Sequence, residues 1–314
     1  MKQSLLISAI ALLPLFSSHA ATDSGTPKKL LVVSVTTGYR HSSIPTGEKV
    51  LRQLAESSRA FTLDFAEQPP GKPNPPKKPA EDAMDPAAGQ KYQEAVAAYR
   101  AALEPWNARV KEALLKLSPE SLAKYDGVVF LSTTGDLPIP DKDGFLAWIR
   151  AGHAFIGVHS ASDTFHGWPG YIDMLGGEFQ THHAQVAVDC LNEDPKHPAN
   201  KSLGPDWPIQ QEEIYRFKNY DRARVHELLA LDKDPNDKTP GHFPLAWCRD
   251  YGKGKVFYTA LGHREDIWDP DPNIKDRKNP AAVAEAFQAH LLGGIEWALG
   301  LEPGDSTPQV VRSN

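Results

Sequence analysis

Long hydrophobic runs are nearly absent from this 314-residue chain. The one clear run, Leu5 to Phe16, is broken by Pro14 and falls short of the ~18 apolar residues a membrane helix needs. It follows Lys2 and ends at Ser18-His19-Ala20, small residues at the −3 and −1 positions of a cleavage site. Residues 1–20 therefore read as a secretory signal, and the expected location is periplasmic or secreted, with no membrane contact after cleavage. Positive charge is also scarce. Lys and Arg number 34 against 40 Asp and Glu, a net charge of −6 that becomes −7 once Lys2 is removed. No basic footprint of a nucleic-acid binder is present, so the expected partner is a neutral small molecule. Only two cysteines occur, Cys190 and Cys248. An exported chain permits a disulfide, yet both lie in strand-like runs where buried free thiols are common, and their pairing stays open.

Several catalytic signatures are missing as well. No G-x-S-x-G turn presents a serine, although Ser160 and Ser162 lie near a strand end. Thr36-Thr37-Gly38 matches neither a Walker nor a dinucleotide fingerprint, and no H-x-x-x-H or H-E-x-x-H spacing announces a metal. There are no internal repeats.

What is present alternates between strand and helix signals. Leu30 to Val35, Phe61 to Phe65, Val128 to Leu131 and Ala154 to Val158 read as strands. Pro45 to Ser58, with Val50, Leu51 and Leu54 on one face, and Gly144 to Ala151 read as helices. This order predicts an α/β fold with a doubly wound, mostly parallel sheet. Beyond Gly177 the strand signals Ala184 to Asp189, Phe243 to Trp247 and Lys255 to Thr259 come without intervening helices, so edge strands of antiparallel or mixed sense are expected. A last helix, Pro280 to Leu299, carries Val283, Phe287, Leu291, Ile295 and Leu299 at spacing four and should pack back onto the sheet. Residues 28–302 form the expected main domain and 303–314 a tail. Residues 69–118 read as an insertion. Pro69 to Pro79 holds six prolines in eleven residues and predicts an extended spacer. A helical stretch through Val96, Tyr99, Leu103, Trp106, Val110, Leu114 and Leu117 follows, which Pro105 should kink or split. The insertion is either a helical hairpin packed outside the domain or a lid and protein-partner surface.

The most informative stretch is Phe155 to Asp163. A buried strand stops abruptly at His159, where an elbow enzyme would place its nucleophile, and Ala161 stands where the elbow glycine is expected. In a parallel sheet, ligands gather beyond the carboxyl ends of strands. Four such segments deliver histidines: His41, His159, His182 with His183, and His263. Any one of them alone reads as an ordinary hydrogen-bonded residue, but four in matching positions point to a shared site. Histidine serves as acid or base near neutral pH and as a metal ligand. The absence of local ligand spacing favours acid/base work, with no cofactor predicted, and leaves a divalent metal on His41, His159, His182 and His263 as the alternative. Glu213 lies in a polar-aromatic stretch suited to sugar hydroxyls. Tyr39, Arg40, Ser160, Asp163, Trp168, Tyr215 and Arg264 are the expected ligand-side residues, with a cap role open for Asp163 and core roles open for Trp168 and Tyr215.

Six collinear blocks then carry a resemblance: Thr37-Gly38-Tyr39-Arg40-His41-x-Ser43-Ile44-Pro45, Tyr125 to Asp136, Gly157 to Thr164, Glu193 to Pro198, Ala246 to Arg249, and Tyr258 to His263. Together they resemble the trehalose-utilisation (ThuA-like) family, from about Leu30 to Gly300 apart from the insertion. The resemblance implies a fold similar to class I glutamine amidotransferases, a flavodoxin-like sheet, with His159 where those enzymes carry cysteine, and hence no glutaminase activity. It also implies disaccharide catabolism, including 3-keto sugars. Two features depart from the family pattern: the 69–118 insertion and Arg264, where a shorter polar side chain is expected. The combined expectation is a carbohydrate-processing enzyme (lyase, isomerase or hydrolase) using His41, His159, His263 and Glu213. A non-catalytic sugar-binding or assembly protein and a metal-dependent hydrolase are the alternatives.

Overall fold

A computed structural model describes residues 26–79 and 86–309, so the expected signal segment lies outside the described residues. In chain order the strands are β1 (Lys28–Val33), β2 (Phe61–Ala66), β3 (Gly127–Leu131), β4 (Ala154–Val158), β5 (Glu178–His182), β6 (Val186–Asn192), β7 (Asp206–Glu212), β8 (Tyr215–Lys218), β9 (His226–Lys233), β10 (Pro240–Tyr251) and β11 (Gly254–Thr259). The helices are α1 (Ile44–Ser58), α2 (Pro86–Ala113), α3 (Pro119–Leu122), α4 (Lys142–Arg150), α5 (Pro169–Leu175), α6 (Glu265–Trp268) and α7 (Ala281–Ala298). Nine strands form one sheet in the order β2-β1-β3-β4-β11-β10-β9-β6-β7, and β5 pairs with β8 in a separate two-stranded sheet. The first five of the nine are parallel and the remaining four antiparallel. This is the expected α/β sheet of flavodoxin-like order with edge strands added.

The apolar strands sort their side chains by alternation. Leu30, Val32, Val129, Leu131, Ile156 and Val158 face one layer, formed by α1, α6 and α7 with Leu51, Trp268, Phe287, Leu291 and Ile295. Leu31, Val33, Val128, Phe130 and Phe155 face the other, where Trp106 of α2, Leu122 of α3, Phe145 of α4 and Tyr171 of α5 pack. Because both faces are covered, β3 and β4 are buried along their whole length, which is why they read as unbroken apolar runs. Helix α7 lies so close to β11 that a Cβ on Gly294 would sit 2.4 Å from the Phe257 ring.

The insertion is anchored at one end. Among α2 residues only Trp106 and Val110 are buried. Trp106 Nε1 donates to Pro69 O (3.1 Å), and Arg109 donates to Pro70 O (3.1 Å). Lys72 Nζ reaches Thr37 O (3.1 Å) and Gly38 O (3.0 Å). The extended spacer is thus pinned between α2 and the loop that follows β1. Of the two expected outcomes at Pro105, the split does not occur: α2 runs through Pro105 as one helix. Pro105 and Ala101, whose carbonyl loses its N–H partner, are both exposed, so water satisfies the freed group.

Other differences have similarly local causes. The Lys255 to Thr259 signal is not an edge strand, because β11 joins the parallel core beside β4. Strand β9 gives no alternation since its first six residues are buried, and β7 carries Pro208, which an edge strand tolerates. The segment around His182 is strand β5 of the separate antiparallel pair, so His182 does not follow a strand of the parallel sheet. Cys190 and Cys248 are both free and buried, and burial raises both thiol pKa values.

Two core imidazoles set a pH dependence. Burial holds His290 down to about 4 and His197 down to about 3. Below the ordinary histidine value of about 6.5, the unfolded chain takes up protons that the folded chain refuses, so stability falls as pH drops from about 6.5 toward about 4. Urea unfolding should show lower stability at pH 5 than at pH 7. His290→Gln should shrink that difference by on the order of 2 kcal/mol; an unchanged pH slope in the variant would contradict the assignment.

Candidate active site

In a flavodoxin-like order the chain reverses direction between β1 and β3, and the crevice beyond the carboxyl ends of the strands collects ligands. Three parallel strands send a histidine there. After β1, the loop to His41 is tied to the loop after β3: Thr36 bridges Thr134, and Thr134 Oγ1 donates to Tyr39 O (2.6 Å). After β4, the chain enters a 3-10 turn, His159–Asp163, with His159 at φ 49°. That left-handed conformation disfavours a residue with a Cβ. Two bonds hold it: Tyr258 OH donates to His159 O (2.7 Å) and His159 Nδ1–H donates to Ala260 O (2.8 Å). After β11, Glu212 cradles the loop carrying His263, accepting from the N–H groups of Gly262 (2.8 Å), His263 (2.7 Å) and Arg264 (3.3 Å). Full burial pushes the Glu212 acid up to about 7, against the pull of His263 and those three donors.

Glu213 turns into the crevice. Its Oε2 lies 3.1 Å from His263 Nδ1 and 3.8 Å from His159 Nε2, and its Oε1 lies 3.0 Å from His182 Nδ1. His41, His159, Glu213 and His263 each present one donor atom, all four within 4.8 Å of one another. Tyr215 OH donates to His159 Nε2 (3.0 Å), and Ser160 Oγ meets His41 Nδ1 (3.2 Å). Burial, reinforced by His263, lowers His41 to about 4; burial likewise holds His159 well below the ordinary histidine value. For His263 burial opposes protonation, but the Glu213 and Glu212 carboxylates prevail and the net shift is upward. A cavity of about 310 Å³ opens over this group, walled by Tyr39, Phe179 and Tyr215, with Asp163 and His182 on its sides. The donor set suits two kinds of chemistry, proton transfer and cation binding.

The structure thus brings His41, His159, His263, Glu213 and Tyr215 into contact, with His182 and Tyr39 at the rim. Glu213, rather than His182, completes the tight group of four. Other expected ligand-side residues are placed elsewhere. Arg40 donates to Ser34 O and Gln68 Oε1, fastening the end of β1. Trp168 is buried core, packed with Phe145, Phe165 and Tyr171. Ser160 is buried behind His41. Arg264 pairs with Asp266 and Gln185 and lines a neighbouring cavity of about 520 Å³. Asp163 remains on the cavity wall and accepts from His166 Nε2 (2.6 Å), while His166 Nδ1 meets Glu178 Oε1 (2.6 Å). His166 was not among the expected residues; its only signal was its place three residues after Asp163. Phe179 was hidden by the alternation of a short strand.

The ThuA family model, described as trehalose utilisation, matches residues 86–298, more than half of the chain. The chain belongs to the ThuA family. Solved structures agree on the fold of this ThuA member. A ThuA-like protein from Parabacteroides merdae is similar at TM-score 0.59 and 21% identity, covering 90% of this chain and 93% of that one. Another ThuA-like protein, from Bacteroides uniformis, gives TM-score 0.56 and 17% identity, covering 90% and 95%. No curated protein matches. Family membership carries a link to trehalose utilisation, and the parallel sheet places His159 at the turn directly after β4.

The Glu212 cradle makes a testable statement. Glu212→Ala leaves three backbone N–H groups without their acceptor and should lower unfolding stability by about 2 kcal/mol or more. Glu212→Gln keeps an acceptor oxygen and should lose less. Urea titration of both variants checks this; an Ala variant within about 0.5 kcal/mol of wild type would refute the cradle.

Proposed function

We propose that this ThuA-family chain is an exported carbohydrate-processing enzyme that acts on a disaccharide or a 3-keto-glycoside. The observation that carries the reading is the convergence of His41, His159, His263 and Glu213 from separate elements, all four donor atoms within 4.8 Å, beneath an aromatic-walled cavity. Tyr39, Phe179 and Tyr215 supply apolar faces of the kind sugar rings stack on. Export rests on the character of residues 1–20; no helix among the described residues is long and apolar enough to cross a membrane.

A 3-keto group acidifies the C–H at C2. Removing that proton forms an enolate, and collapse of the enolate expels the C1 oxygen, which takes a proton as it leaves. Such a step needs a polariser for the keto oxygen and a separate proton carrier. The first role needs positive charge, because buried His159 gives its Nδ1–H to Ala260 O and accepts from Tyr215 OH at Nε2, leaving it no hydrogen for the keto oxygen. His41 and His263 flank His159. His182 fits the second: it is 45% exposed at the rim and touches Glu213 Oε1 at 3.0 Å, so it can exchange protons with solvent. The first half of α2 buries no residue before Trp106 and offers the surface a protein partner would use.

His159→Ala and His263→Ala, assayed on 3-keto-trehalose and related 3-keto-glycosides, should each lose at least about 100-fold in kcat/KM. Turnover within a few-fold of wild type in both would end the proposal. Saturable sugar binding by calorimetry with no product by mass spectrometry would instead identify a sugar-binding protein.

A further inference from the structure

The geometry points to a divalent transition-metal site of the zinc class, with His41, His159, His263 and Glu213 as its four ligands. This deepens the proposed function by naming what polarises the substrate oxygen, but metal binding stands or falls independently of any sugar.

Distances argue first. Around a first-row ion with ~2.1 Å bonds, neighbouring donors sit roughly 3.0–3.4 Å apart and opposed ones about 4.2 Å. Glu213 Oε2 lies 3.1 Å from His263 Nδ1 and 3.8 Å from His159 Nε2, and no pair in the set exceeds 4.8 Å. Small side-chain rotations close the difference. Ring placement argues second. Imidazoles radiating from one such ion hold their centroids roughly 4.6–5.3 Å apart for ligand angles between about 90° and 109°. The three pairs here are at 4.6 Å (His41–His159), 5.2 Å (His41–His263) and 5.3 Å (His159–His263).

Hydrogen bonding argues third. His159 Nδ1 is committed to Ala260 O and His41 Nδ1 to Ser160 Oγ, so each ring turns its other nitrogen inward. Metal-ligating histidines are oriented by such outer bonds. His263 Nδ1 is buried and satisfies no hydrogen bond, although Glu213 lies 3.1 Å away. Nitrogen and oxygen sit side by side instead of donor to acceptor, as two ligands of one ion do. Tyr215 OH donates to the His159 lone pair at 3.0 Å. That lone pair points inward and becomes available to a cation once the phenol hydrogen turns away. Three imidazoles and one carboxylate favour zinc-class ions over magnesium or calcium, which take oxygen ligands. His182 touches Glu213 from outside the set and orients it.

The test uses the full mature chain, stripped with chelator, dialysed against excess ZnCl2, gel-filtered and analysed for metal; CoCl2 serves as a spectroscopic probe. About one zinc per chain is expected, with cobalt absorption showing nitrogen ligation. Glu213→Gln and His263→Ala should each weaken zinc binding by at least about 10–100-fold, while His182→Ala should keep the stoichiometry. Retention of no zinc by folded wild type overturns the site whatever the variants do. So does undiminished binding in Glu213→Gln or His263→Ala, with folding checked by thermal melting. A chain that binds zinc but turns over no sugar would refute the proposed function and leave the metal site standing.

Discussion

The site depends on one strained residue. His159 sits at φ 49°, a conformation worth roughly 1–2 kcal/mol against any side chain larger than glycine's. The surroundings fix it from both sides of the peptide: Tyr258 holds its carbonyl and Ala260 takes its ring N–H. Both partners come from β11 or the residue just beyond it, so pairing β4 with β11 is what makes the elbow tenable. The close approach leaves little room, since a Cβ on Gly157 would sit 3.0 Å from the Tyr258 ring and 3.3 Å from the Ala161 methyl. An elbow of this kind usually exposes a nucleophile; here it drives an imidazole into the floor of the crevice.

Everything else in the site is arranged around that ring. Its full burial keeps it neutral and its inward nitrogen available. His41 arrives from β1 with its own outer bond, His263 from β11 on a loop held by Glu212, and Glu213 from the residue after β7. Adjacent residues thus divide two tasks: Glu212 holds backbone and Glu213 faces the cavity. The result is a carboxylate among three imidazoles whose donor atoms converge, a group that can bind a cation.

Much of the fold was legible in the sequence because parallel, doubly covered strands advertise themselves as short apolar runs between helical spacings. The convergence of His41, His159 and His263 followed from the same logic, since all three lie beyond carboxyl ends of parallel strands. Where alternation was absent or contradicted, the reading stopped. Strand β9 is buried through its first six residues and shows no alternation; β7 does alternate, with Trp207 and Ile209 buried, but Pro208 between them reads against a strand. Glu213 belongs to the expected catalytic set, but the alternative metal set names His182 in its place, because the placement of the β5–β8 ribbon over the crevice leaves no local sequence signal. Trp168 and Arg40 looked like ligand residues because they flank the motifs, yet one fills a core and the other ties down a strand end. Pro105 failed to break α2 because its lost hydrogen bond faces water.

The most direct test is a crystal structure of the chain with a 3-keto disaccharide bound. The keto oxygen should lie within about 3 Å of the group formed by His41, His159, His263 and Glu213, with a sugar ring against Tyr39 or Tyr215. A sugar seated in another cavity, with those four side chains untouched, would contradict this placement.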